Sequence, residues 1–241
     1  MYDVKSSIAE DGPVSAVEAT VEGRRKRRSR LSRDLVLAAA MKLADEGGIE
    51  ALTMRRLARE LGVETMTTYY HAANKEDVLD GIVDLAVQEM EPPAPGGDWR
   101  AAVRASAIST HDVLRRHPWA ADQLMSSTRL SAARLRQMEA LLRCLREAGF
   151  AGALTDHAYH AIDIYVHGFA LWEARFASTV QGPLADLATS VMREMPIEEY
   201  PQVADHIAFH FRPPNGKPVR TFEFGLDLVL DGLERARSGT S

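Results

Sequence analysis

Between Thr53 and Lys75 the chain concentrates groups that donate hydrogen bonds or carry positive charge: Thr53, Arg55, Thr65, Thr67, Tyr69, His71 and Lys75, with the unbranched Met66 among them. Hydroxyls can bond either kind of base edge, methyl groups suit the thymine methyl, and phenol, imidazole and ammonium groups can clamp phosphates. Taken singly, Tyr69 and His71 would be a surface aromatic and a solvated imidazole. A second cluster, His160, Asp163 and His167, recurs at helical spacing, so a carboxylate lies within reach of an imidazole. It reads either as a satisfied polar cluster between helices or as the polar end of a ligand site, with Tyr159 and Trp172 as further candidates. His206 and His210 sit four apart but have no third ligand nearby in sequence, so no metal is expected. The lone Cys144 allows neither an internal disulfide nor a thiolate zinc site. With no Gly-x-Ser-x-Gly elbow, phosphate-cradling glycine loop or His-Glu-x-x-His, neither an enzyme nor a cofactor is expected.

The elements that must position these groups are helices throughout. Ser32 is a plausible N-cap for a helix that Gly47-Gly48 ends, Thr53 caps a short second helix broken at Gly62, and Glu64 to Ala72 forms a third. Asn74 then caps a longer helix running to about Met90. Residues 91–97 (EPPAPGG) cannot be helical and mark the boundary of a second domain, 98–241. Helical patterns follow near Trp99 to His117, Trp119 to Met125, Ser131 to Ala148, Thr155 to Val180, Leu184 to Met195, Tyr200 to Phe211 and Arg220 to Ala236. Strand-like alternation is absent, so the fold class is all-α: a three-helix helix-turn-helix domain followed by a larger helical domain. Residues 1–23 lack bulk and period and read as a disordered leader.

Charge divides the same way. The net charge is −5, yet from Arg24 to Lys75 there are 12 basic and 6 acidic residues, while the rest holds 17 and 28. One end attracts polyanions and the other repels them. The block Arg24 to Arg30 (RRKRRSR) reads as a solvated tail or as an arm along the minor groove or flanking phosphates. No apolar run is long enough for a membrane span, and a cytoplasmic protein is expected.

The stretch LTMRRLARELGVETMTTYYHAANKEDVLD, Leu52 to Asp80, closely resembles the DNA-binding domain of the tetracycline repressor family, matching it at Thr53, Arg55, Leu57, Ala58, Leu61, Gly62, Val63, Tyr69, His71, Asn74 and Lys75. The resemblance implies that Arg55, Thr65, Met66 and Thr67 face bases, that Thr53, Tyr69, His71 and Lys75 hold the backbone, and that Tyr70 packs inward. Thr65 and Met66 stand where the family's namesake has Gln and Pro, so the same operator is not implied. The stretch TFEFGLDLVLDGLER, from Thr221, resembles the last helix of that namesake's class, which implies that it and the long helix Thr155 to Val180 make a four-helix bundle with a twofold partner. Its stripe of Phe222, Leu226, Val229, Leu230 and Leu233 is too wide for a free surface, so it is expected to be the homodimer interface. A helical domain this large, rich in aromatics and methionine, further suggests a cavity for a small, largely apolar effector. The function expected is that of a regulator, a repressor by resemblance, which an effector releases from a palindromic double-stranded DNA operator. A constitutive or activating regulator, or a sequence-independent architectural protein, would share the DNA-binding end.

Overall fold

A computed structural model describes residues 31–179, 193, 198–211 and 221–239. The leader, the basic block and nearly all of the helix expected at Leu184 to Met195 lie outside these. The described residues form ten helices and no strand: α1 Arg33–Ala51, α2 Met54–Leu61, α3 Thr65–Thr68, α4 Lys75–Glu89, α5 Trp99–Arg116, α6 Pro118–Ser126, α7 Ala132–Glu147, α8 Ala153–Thr179, α9 Pro201–Phe211 and α10 Thr221–Gly239. Two compact units divide inside α4, one ending at Ile82 and the other beginning at Val83.

Local chemistry explains the first unit. The Ser32 hydroxyl accepts from Leu35 N, and Thr53 Oγ1 accepts from Arg56 N, so orphan donors at both helix starts are satisfied. At Gly47 and Gly48 the backbone leaves helical geometry, as the glycine pair predicts. Gly62 ends α2 at φ 64°, the left-handed region that a side chain resists. Val36, Ala40, Leu43, Leu57, Val78 and Ile82 close over one another as the small core of this unit.

In the second unit, Trp99 and Val103 of α5, Leu145 of α7, Ile162 and Val166 of α8, and Phe222, Leu226, Leu230 and Leu233 of α10 share one core. Trp99 meets Phe150 edge to face with centroids 4.9 Å apart, and its Nε1 donates to Glu234. Beside it, Arg100 pairs with Asp231 and Arg104 with Asp227, two successive turns on each of α5 and α10. Backbone approach is close where α8 meets α10: a Cβ added to Gly225 would lie 2.2 Å from the Tyr165 hydroxyl, which donates to Phe222 O.

Candidate nucleic-acid interface and ligand cavity

Helix α3 is a single turn, shorter than the segment expected from Glu64 to Ala72. Its two ends of chain chemistry therefore separate sharply. Thr67 is 4% exposed and Thr68 is fully buried, with Thr68 Oγ1 donating to Thr65 O. Met66 is 67% exposed, and Thr65 is half-buried beside it. Beyond Thr68 the chain leaves the helix, so Tyr69 and Tyr70 no longer follow its faces; both are exposed, Tyr70 at 77%. Two expectations are corrected by this. Tyr70 points out rather than in, and Thr67 packs within the unit instead of offering its side chain to a groove. Thr53 and Arg55 are exposed, and His71 and Lys75 are half-buried.

A brace unseen in the sequence holds the turn after α3. Arg33 at the start of α1 donates to His71 O at 2.9 Å and forms a two-toothed pair with Asp77 at 2.8 and 3.1 Å. Asp77 also accepts from Ala73 N, while Asn74 Oδ1 accepts from Asp77 N as the expected cap of α4. Lys75 Nζ donates to Ile49 O at 3.2 Å, which leaves two of its three protons for an anion. These contacts fix the exposed edge formed by Arg55, Thr65, Met66, Tyr69 and Tyr70.

The second unit encloses a cavity of about 140 Å³. Its walls are mostly apolar, with Met125, Met138, Leu141 and Ile162 among them, and its polar lining includes Ser106, Arg134, Gln137, Tyr159, Asp163 and His167. Of the sequence candidates, Tyr159, Asp163 and His167 are brought together here. His160 and Trp172 are not in the lining: both are exposed, His160 edge-on to the Tyr159 ring at 5.2 Å and Trp172 stacked with Phe176. His160, Asp163 and His167 share one face of the helix, so what separates His160 is its place along the axis, nearly two turns before His167.

His167 Nδ1 lies 2.9 Å from the Asp163 carbonyl and 3.2 Å from its Oδ1. Both partners are acceptors, so Nδ1 carries the proton. Burial pushes the Asp163 carboxyl up, but the His167 bond and charge outweigh it and hold it below its ordinary value. Burial lowers the His167 imidazole, and Asp163 more than reverses that, leaving it raised. The Tyr159 phenol, desolvated and close to Asp163, is pushed up to about 12 and stays neutral.

The cavity shares side chains with the end of α4. Gln137 Nε2 donates to Met90 O at 2.5 Å, and Ser106 donates to Glu91 O at 2.8 Å; both residues line the cavity. Ser109 accepts from Glu91 N, and Arg116 pairs with Glu89 at 2.6 Å. Met90 O and Glu91 O, just past the end of α4, thus find their partners on α7 and α5.

The apolar stripe assigned to a partner subunit needs correction. Phe222, Leu226, Leu230 and Leu233 are buried within their own subunit, and Val229 packs against the same core. The apolar face left open lies elsewhere: Phe224 and Leu228 on α10 are 68% and 55% exposed, and Ile164, Trp172 and Phe176 on α8 are exposed as well. Sequence reasoning also missed His111, which is buried on Phe222 at 3.8 Å and bonded to Glu173 at 2.7 Å. His210 has no described side chain; among the described residues no cluster of metal-ligating groups occurs, and no helix is long and apolar enough to cross a membrane.

Known proteins resemble both units. Residues 36–82 match the family described as "Bacterial regulatory proteins, tetR family", and residues 91–237 match "Tetracyclin repressor-like, C-terminal domain". The "HTH-type transcriptional repressor DrrR1" of Streptomyces coeruleorubidus is 34% identical over 219 residues, covering 85% of this chain and 77% of that protein. Among solved structures, Streptomyces coelicolor ActR in complex with (S)-DNPA aligns with TM-score 0.68 and 25% identity over 86% of this chain and 98% of that one. BioQ with its natural double-stranded DNA operator aligns with TM-score 0.60 and 28% identity, covering 86% and 99%.

Proposed function

The chain belongs to the tetracycline repressor family, and from that premise we propose that it is a dimeric transcriptional repressor released from its operator by a small molecule held in the second unit. DNA binding rests on the exposed edge from Arg55 to Tyr70, with Thr65, Met66 and Arg55 reading bases and Thr53, Tyr69, His71 and Lys75 holding phosphates. Relatives support both halves: BioQ is solved on an operator, and ActR with a small molecule.

The observation that carries ligand response is the shared wall. Gln137 and Ser106 line the cavity and also bond the end of α4, the helix whose first turns belong to the reading unit. A molecule that competes for those two side chains changes the satisfaction of the Met90 and Glu91 carbonyls that follow α4. Such a ligand shifts operator binding only by its preference between the two states; roughly 1–3 kcal/mol is typical of allosteric coupling, and operator must weaken ligand by the same factor. Dimerisation uses the open apolar face of Phe224, Leu228, Ile164, Trp172 and Phe176, and a twofold dimer calls for half-sites roughly 34 Å apart.

Selection of bound duplexes from a random pool tests this reading. A recovered palindrome, whose affinity falls as apolar molecules are titrated in, supports it. No enriched sequence removes the DNA-reading role. A palindrome indifferent to every molecule, with cavity-filling substitutions equally silent, leaves a constitutive repressor.

A further inference from the structure

Much of the cavity's polar wall turns its hydrogen-bond donors toward the protein itself. The Arg134 guanidinium, at the start of α7, gives Nη1 to Ser127 O and Arg129 O at 3.3 and 2.7 Å, and Nη2 to Leu124 O at 3.1 Å. Gln137 presents its nitrogen to Met90 O and Val87 O; with two carbonyls as partners, the amide must be oriented that way. Ser106 directs its proton at Glu91 O, and His167 uses Nδ1–H on Asp163. Donors remain at the Tyr159 and Thr110 hydroxyls and at two of the five Arg134 N–H groups, and the charged acceptor that remains is Asp163. Asp163 keeps one carboxylate oxygen with no protein donor among the described residues, while Gln137 keeps its carbonyl and Ser106 a lone pair.

We propose that the ligand of this cavity has an apolar body and a hydrogen-bond-donating head, a hydroxyl or an ammonium group, docked on the free oxygen of Asp163, a place that a carboxylate head cannot take. The proposal rests on the reading of the cavity as the effector site. The charged or titratable groups around Asp163 are Tyr159, His160 and His167 from its own helix and Arg134 from α7. Of these, His167 is already bonded to Asp163, His160 is exposed, Tyr159 is neutral, and Arg134 gives three of its five N–H groups to carbonyls. A carboxylate docked at that oxygen would set two anions together with no proton between them, which is unfavourable. A donor head instead completes the bonding of Asp163. A hydroxyl has one further merit: it can accept from the far nitrogen of His167 when that ring is protonated and donate when it is not. The aliphatic and thioether walls, Met125 and Met138 included, adapt to the shape of the body.

Four probes sharing a two-ring body test this: naphthol, naphthylmethylamine, methylnaphthalene and naphthoate, each titrated calorimetrically into the full chain at neutral pH. Naphthol or naphthylmethylamine should bind about tenfold or more tightly than methylnaphthalene and naphthoate, the scale of one charge-assisted hydrogen bond. Whichever of the two is tighter assigns the head. Asp163→Asn, with folding checked by melting, removes the charge and adds an N–H donor; it should erase the amine's advantage and bring naphthoate to within about threefold of naphthol. Naphthoate binding as tightly as the donor-headed probes overturns the donor-head assignment while leaving the cavity an effector site. No binding by any of the four overturns the cavity reading on which it stands, and the ranking on the unaltered protein needs no variant to fold.

Discussion

Replacing Phe224 by Glu should dissolve the dimer and leave the subunit folded, whereas Leu226→Ala should do the reverse. Phe224 is 68% exposed, and a phenylalanine of about 200 Å² leaves about 140 Å² of apolar surface to be covered by a partner. At roughly 25 cal/mol per Å² that is about 3 kcal/mol for each copy, or about 7 kcal/mol for a twofold pair. Association entropy and imperfect packing absorb much of this, so a rise in the dimer dissociation constant of at least about a hundredfold is expected. Leu226 is 0% exposed inside its own subunit, and its truncation should cost the fold about 2–5 kcal/mol. Sedimentation equilibrium at micromolar concentration and urea melts separate the two effects. A Phe224→Glu protein that sediments like the parent dimer, or a Leu226→Ala protein that becomes a folded monomer with an unchanged melt, would refute the assignment of the two faces.

The Asp163–His167 pair should give stability a defined pH window. His167 is raised, so its contribution is full below 6.5 and fades as pH climbs through its higher folded value. Asp163 is lowered, so its contribution is full above 3.8 and fades as pH falls through its lower folded value. The difference in urea stability between the parent and His167→Asn should therefore peak near pH 5 and shrink on either side; a flat difference from pH 4 to 9 counts against the pairing. Gly225→Ala should destabilise by about 1–3 kcal/mol through overpacking, with partial recovery when combined with Tyr165→Phe; additive losses in the double variant would argue against the close approach seen here. Met66→Ala should change which bases the selected operator prefers, at about 1–3 kcal/mol per lost contact. Thr67→Val should alter melting and leave base preference alone, and a shifted preference in that variant would restore Thr67 to the reading edge.

Features set by neighbours in sequence were legible in advance. Ser32, Thr53 and Asn74 each cap a helix because the bond they make reaches only three residues along the chain. The Asp163–His167 contact, one helical turn apart, was legible for the same reason. Arg33 and Asp77 lie 44 residues apart, and no periodicity brings them together. On α10 the apolar stripe was readable, but not what covers it: a stripe of Phe222, Leu226 and Leu230 looks the same whether its partner is a second copy or the subunit's own α8. Only the fold showed that this stripe is inward and that Phe224 and Leu228 face out. At α3, the inward Tyr70 that the family resemblance implied is not found, because the helix is over after one turn.

The tip of α3 carries an evolutionary consequence. Met66 and Tyr70 are exposed and owe nothing to the core, while the residues that shape the turn, Arg33, Thr68, Asn74 and Asp77, lie off that edge. Surface substitutions away from packing and caps usually change stability by no more than about 0.5 kcal/mol. If Met66 reads bases as proposed, mutation there can thus sample new recognition sequences without spending the fold's margin. A duplicated copy of such a gene could drift toward a different promoter before any compensating change arose. Selection at these sites would be exerted by the DNA they meet, and substitution there should run faster than in the brace that supports them.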